Sequence, residues 1–357
     1  MRSNPALDGL RGLAVLAVLA FHCYWPVFRA GTLGVDLFFV LSGYLIAALL
    51  LEEHARAGRI DLRAFYARRV RRLFPALAVL LVAMAALPVV LPDFALARIT
   101  RGAIPAVFFY VANWVQAFQL RPLGMLVHAW SLAIEEQFYA LVLPVVLVAR
   151  GLRLTRGRGA AILLGLAVAV ALARAACFAR GASTELLYHA TIFRADALLA
   201  GCALAMVLRL DPPGPAPRWL RSGAIASGLA LVALAATLTA GSAFLYLGGF
   251  TLVAALSAAV VAFAVHAPGV PLLSWRPLSG LGRISYGVYL WHLPLFVLVD
   301  TCAPPFLGRD AAKIALAIAV AAASFRWIER PVLAPSRCGG DGVIQTPQET
   351  SRASRHG

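Results

Sequence analysis

Eleven apolar runs of about 18 to 24 residues follow one another along this chain, and they leave it few ways to fold. About 20 apolar residues in a helix cross a ~30 Å hydrocarbon layer. A helix satisfies its own backbone hydrogen bonds there, where water cannot. The runs cover residues 10–28, 32–51, 74–91, 103–120, 131–149, 160–178, 191–208, 222–240, 243–266, 284–302 and 311–328. Composition agrees, with 61% hydrophobic and 13% charged residues, against about 25% charged in soluble domains. The expected fold class is an all-α polytopic membrane protein, with one membrane domain over residues 1–334. No polar stretch is long enough to build a soluble domain. The longest, 335–357, is rich in Gly, Ser, Arg and Thr and is expected to be a disordered tail.

Charge decides how many runs cross. The net charge is +16, and the arginines cluster between apolar runs, where membrane topology alone would put them. They therefore give no reason to expect a nucleic-acid partner. Segment 52–72 carries Arg56, Arg59, Arg63, Arg68, Arg69, Arg71 and Arg72, and segment 150–158 carries Arg150, Arg153, Arg156 and Arg158. Both are expected on the cytoplasmic side, so an even number of crossings separates them. Three runs lie between. The weakest is 103–120, with Pro105, Asn113 and Gln116 inside it, and it is expected to be re-entrant or to lie along the outer face. That gives ten spans around a central cavity, basic loops at 209–221 and 267–283, and both termini in the cytoplasm of an inner-membrane protein. Asp8 and Arg11 interrupt the approach to the first run, which argues against a cleaved signal peptide. The five cysteines show neither metal-ligand spacing nor a paired framework, and no metal is expected.

Several stretches place ionisable groups where lipid would exclude them, and such groups carry a functional role by default. Arg11 and His22 bracket ten residues of the first run, about 16 Å apart along a helix. Arg11 also fits a basic flank, and His22 a neutral imidazole bonded to a backbone carbonyl. In HAWSLAIEEQFY, His128 to Tyr139, the residues Ser131, Glu135 and Tyr139 share a helical face, which His128 joins if the helix starts a turn earlier. Glu135 and Glu136 also suit a helix start. In GVDLFFVLSG, Asp36 lies toward the outer end of a span and is free to pair with a histidine or arginine next door. Ser42 and Gly43 suit close helix packing. Arg68, Arg69 and Arg72 share another face, suited to a phosphate-rich ligand or to anionic lipid headgroups. Arg194 and Asp196 read as an ion pair inside a span, and His292 lies midway through another.

These stretches, in this order, resemble the acyltransferase-3 family of integral membrane acyltransferases, from Asp8 to Pro331. The matching elements are Arg11 with His22, the GVDLFFVLSG run, Arg68-Arg69-Arg72 followed by Leu73 and Pro75, the His128–Tyr139 run, Arg194 with Asp196, and SYGVYLWH ending at His292. Many members add a soluble esterase-like domain after the last span; none is expected here. The resemblance implies O-acyl transfer, commonly of acetyl, from acyl-CoA on the cytoplasmic side to a hydroxyl of an extracytoplasmic or lipid-linked glycan. It implies that Arg68, Arg69 and Arg72 hold the coenzyme A phosphates and that His22 removes the hydroxyl proton. Glu135 would orient that imidazole or the acceptor, and Arg11 would lie along the acyl path. Asp36, His128, Ser131, Glu136, Tyr139, Arg194, Asp196 and His292 would support substrate or structure. The rival is a transporter of acyl groups or a small organic anion, since buried charges mark substrate paths there too.

Overall fold

The computed structural model describes residues 4–25, 28–151, 155–208 and 216–333, with the side chains of 141–151 left aside. The expected tail at 335–357 and the 209–215 part of the expected basic loop lie outside the described residues. Among the described residues the structure is helical, with no strand.

The first helix, α1 (Pro5–His22), begins five residues before the apolar run. Asn4 caps it by accepting from the Ala6 and Leu7 amides, and Pro5 opens the first turn. The helix stops at His22, short of 28, and Tyr24 takes a positive φ of 58° just after it. The second, α2 (Leu33–Ala57), runs six residues past the apolar stretch to Gly58, which ends it in the left-handed conformation at φ 68°. The third, α3 (Leu62–Val90), starts at the Asp61 cap, so the arginine cluster is helical and continuous with the span.

The expected re-entrant region is two short helices, α4 (Ala95–Phe108) and α5 (Ala112–Ala117), broken at Tyr110 and followed by Gln119, both with positive φ. Fourteen residues rise only about 21 Å, too short to cross. A 3₁₀ turn over Gly124–Ala129 then feeds α6 (Trp130–Gly151). The rest are α7 (Arg156–Ala179), α8 (Thr184–His189), α9 (Thr191–Val207), α10 (Arg218–Thr237), α11 (Phe250–His266), α12 (Arg276–Arg283), α13 (Ser285–Cys302), α14 (Arg309–Ser324) and α15 (Arg330–Leu333).

Eight helical segments among the described residues are long and apolar enough to cross a membrane. The two other expected spans coincide with α6 and α13, of 22 and 18 residues, which carry Glu135, Glu136 and His292. The chain is an all-α polytopic membrane protein.

The main core gathers α1, α2, α9 and α11, and a second one lies between α3, α4 and the 3₁₀ turn. Helix α2 lies along α9 at backbone contact. A Cβ on Gly43 would overlap the Leu198 carbonyl, and one on Gly201 would overlap that of Val40. The expected packing role of Gly43 is thus met. Ser42, expected to share it, turns instead toward α6.

Two buried ion pairs tie α9 to its neighbours, and they differ from the expected one. Arg194 bonds Asp36 of α2 at 2.8 Å, whereas Asp196 bonds Arg174 of α7 at 2.9 Å and accepts from Thr251 of α11. Residues two apart on a helix point about 200° apart, so Arg194 and Asp196 cannot face each other.

Candidate active site

Helices α1 and α2 form an antiparallel hairpin, and a different cavity lies at each end of it. At one end the start of α1, the end of α2 and the start of α3 surround a cavity of about 670 Å3, whose wall includes Arg11, Arg68, Arg69, Arg72, Glu135 and Tyr139. At the other end the close of α1 and the start of α2 border a cavity of about 330 Å3 that includes His22, His128, Trp130 and Tyr289. A narrow neck of about 60 Å3 lies between them. It shares Arg11, Ser42, Glu135 and Tyr286 with the arginine cavity, and Val35 and Tyr289 with the histidine cavity.

At the arginine end, Arg68 pairs with Glu53 at 2.9 Å. Arg69 bonds Glu136 at 3.0 Å and lies over the Tyr139 ring at 3.6 Å. Arg72 makes no ion pair among the described residues, so its charge stays open to the cavity. The three share one face of α3, as their spacing requires.

In the neck, Ser42 donates to Glu135 Oε1 at 2.8 Å, and Arg11 Nε donates to Ser285 Oγ at 3.3 Å. Ser131 donates to the Tyr289 hydroxyl at 2.6 Å, and that hydroxyl donates to the His128 carbonyl at 2.9 Å.

In the histidine cavity, His22 Nδ1 lies 2.9 Å from the Val18 carbonyl. A carbonyl only accepts, so Nδ1 carries the proton and Nε2 keeps its lone pair. The direct orientation of His22 by Glu135 gives way here: Val18 holds the ring, and the carboxylate sits in the neck. His22 and His292 stand 4.9 Å apart between ring centres, and His292 and His128 stand 5.1 Å apart. His292 Nδ1 donates to the Tyr289 carbonyl at 2.6 Å, and His128 Nε2 to that of Leu290 at 3.1 Å. Their other nitrogens, His292 Nε2 and His128 Nδ1, are buried without a hydrogen-bond partner among the described residues. Burial first, and then the nearby His22, push the His128 imidazole, outside the spanning helices, down to about 3, which keeps it neutral. Among the described residues no group of three or more His, Cys, Asp and Glu is placed to hold a metal ion.

Asp36 and Arg194 stay out of the cavities. They brace α2 against α9, with Arg194 over the Phe250 ring at 3.8 Å. Asp196 braces α9 against α7. Sequence reasoning passed over four residues that matter here. Tyr289 and Ser285 read as parts of a motif rather than as neck residues. Arg174, fully buried, was detectable as a lone charge in an apolar run. Gln137 donates to the Tyr110 carbonyl and to Asn113, and accepts from Trp114 and Thr191, tying the short helices to α6 and α9.

The family profile described as an acyltransferase domain matches residues 4–326. A peptidoglycan O-acetyltransferase, OatA, of Listeria monocytogenes is 36% identical over 349 residues, 92% of this chain and 55% of that protein. An O-acetyltransferase OatA of Staphylococcus aureus is 33% identical over 359 residues, 93% of this chain and 57% of that protein. The chain therefore spans about half the length of the curated relatives it matches. No solved structure matches it. From the profile and the ordered motifs together, the chain belongs to the acyltransferase-3 family of membrane proteins.

Proposed function

We infer that the chain transfers an acyl group, acetyl above all, from acyl-CoA to a hydroxyl of a cell-wall or lipid-linked glycan. The observation that carries this reading is the succession of three adjoining cavities, from the arginine cluster through the neck to His22. The names of the relatives, which are O-acetyltransferases, support acetyl as the group and a cell-wall glycan as the acceptor.

Arg68, Arg69 and Arg72 hold the donor's phosphates in the larger cavity, Arg72 with its charge free to do so. The thioester enters the neck past Arg11, whose positive charge favours the departing thiolate. Glu135, held by Ser42, keeps a carboxylate oxygen free to accept from a hydroxyl of the acceptor and position it. On the far side the acceptor hydroxyl meets His22 Nε2, which takes its proton as the oxygen attacks. The C–S bond breaks as the C–O bond forms, and the proton ends on the coenzyme A thiol. His128 lines the cavity beside His22, and His292, fully buried, packs between the two rings and holds them in place. The arginine end faces the cytoplasm of an inner-membrane protein, where the donor is made, and both termini lie on that side.

The test is purified full-length chain in lipid nanodiscs with acetyl-CoA and a soluble peptidoglycan fragment. The expected result is free thiol released in step with an acceptor gain of one acetyl group by mass spectrometry. A transporter would release none, and that result would defeat the proposal.

A further inference from the structure

The neck is far smaller than the cavities on either side. Its volume is about 60 Å3, against about 670 and 330 Å3. The neck is thus the tightest point between the two cavities, and the number of atoms that must pass it at once decides what gets through. An acetyl group has three heavy atoms and a propionyl four, whereas a hexanoyl has seven. The larger cavities would admit any of them.

Its apolar wall includes Phe38 on α2 and Leu132 on α6. Neither side chain is free to swing away. Phe38 packs edge-on to Tyr289, with ring centres 6.5 Å apart, and Leu132 rests against both hydrophobic cores. Nor can α2 retreat toward α9, because Gly43 and Gly201 already bring the two backbones into contact. The polar pairs, Ser42 on Glu135 and Arg11 on Ser285, line it as well.

We propose that the neck measures the acyl group, with Phe38 and Leu132 as the residues that exclude chains longer than about three carbons. This rests on the acyl-transfer reading above and adds a determinant of donor choice to it. The bonds made and broken are unchanged: thioester C–S for ester C–O, with the acceptor proton passing to the released thiol. Only the length of the carbon chain beside the carbonyl is selected.

The test uses the full chain in nanodiscs with acetyl-, propionyl-, butyryl- and hexanoyl-CoA, reading thiol release and acceptor mass. The wild type is expected to lose about tenfold or more in kcat/KM for each methylene beyond propionyl. Leu132→Ala is expected to raise the hexanoyl-to-acetyl ratio at least about tenfold, and Phe38→Leu, which keeps an apolar side chain in place, to raise the butyryl-to-acetyl ratio. Equal use of acetyl- and hexanoyl-CoA by the wild type would overturn the proposal without either variant. So would folded variants that change every donor by the same factor. Absence of thiol release from every donor would instead overturn the acyl-transfer reading, and the length selection with it.

Discussion

Replacing Asp36 by alanine removes the one hydrogen-bond acceptor that a guanidinium sealed inside the protein has among the described residues. Arg194 is 1% exposed and Asp36 2%, and their one bond, Nη2 to Oδ1, is 2.8 Å long. Nε and Nη1 of Arg194 already lack partners, and its other contacts are aromatic faces. Two unit charges 4 Å apart attract by about 4 kcal/mol at an effective dielectric constant of about 20. Removing one partner of a buried pair costs about 3–5 kcal/mol. Both figures point to roughly 4 kcal/mol, about a thousandfold in the folded-to-unfolded ratio. The assay is thermal unfolding of detergent-purified protein, followed by the fraction that stays monodisperse on size exclusion. Asp36→Ala should fall sharply. The double variant Asp36→Leu with Arg194→Met, which removes both charges, should recover most of the loss, since apolar replacement of a buried pair is near neutral. A single variant as stable as the parent, or a double variant as unstable as the single, would refute the reasoning.

Other substitutions test the cavities one at a time. Arg72→Ala should raise the donor KM about tenfold or more with little change in kcat, because one charge-assisted bond to phosphate is worth about 1.5–3 kcal/mol; Michaelis kinetics over a donor series checks this. Ser42→Ala should leave the protein folded and lower transfer, since Glu135 loses the one hydrogen-bond donor it has among the described residues, at a cost of about 1–3 kcal/mol; circular dichroism and thiol release read the two parts. His22→Ala should cut transfer about 10²–10⁴-fold without raising the donor KM, the size expected for loss of a general base; parallel kinetics on the folded variant measure it.

Much of this arrangement was legible in the residues. The spacing of Arg11 and His22 on one helix put a cation and an imidazole about 16 Å apart, and they line different cavities. The three-and-four spacing of Arg68, Arg69 and Arg72 put them on one face. Pro105 and Asn113 marked the segment that breaks into two short helices, and Asn113 proves to be a buried connector to His189 and Thr191. What stayed hidden depended on partners distant in the chain. Arg194 and Asp196 looked like a pair because they are neighbours in sequence, whereas helical geometry sends them to α2 and α7. Ser42 looked like a packing residue beside Gly43, but adjacent helical positions point about 100° apart, so one meets α9 and the other Glu135. Helix starts were misjudged for a local reason: Asn4 and Asp61 are polar caps that lie outside the apolar runs they begin.

The passage from arginine cavity to His22 is tested most directly by separating donor and acceptor. In proteoliposomes with the chain oriented one way, acetyl-CoA is supplied on the arginine side alone and the glycan fragment on the His22 side alone. A connected neck predicts acetylated glycan in the second compartment and free thiol confined to the first, with both lost in His22→Ala. Product formed only when donor and acceptor share a compartment would contradict it.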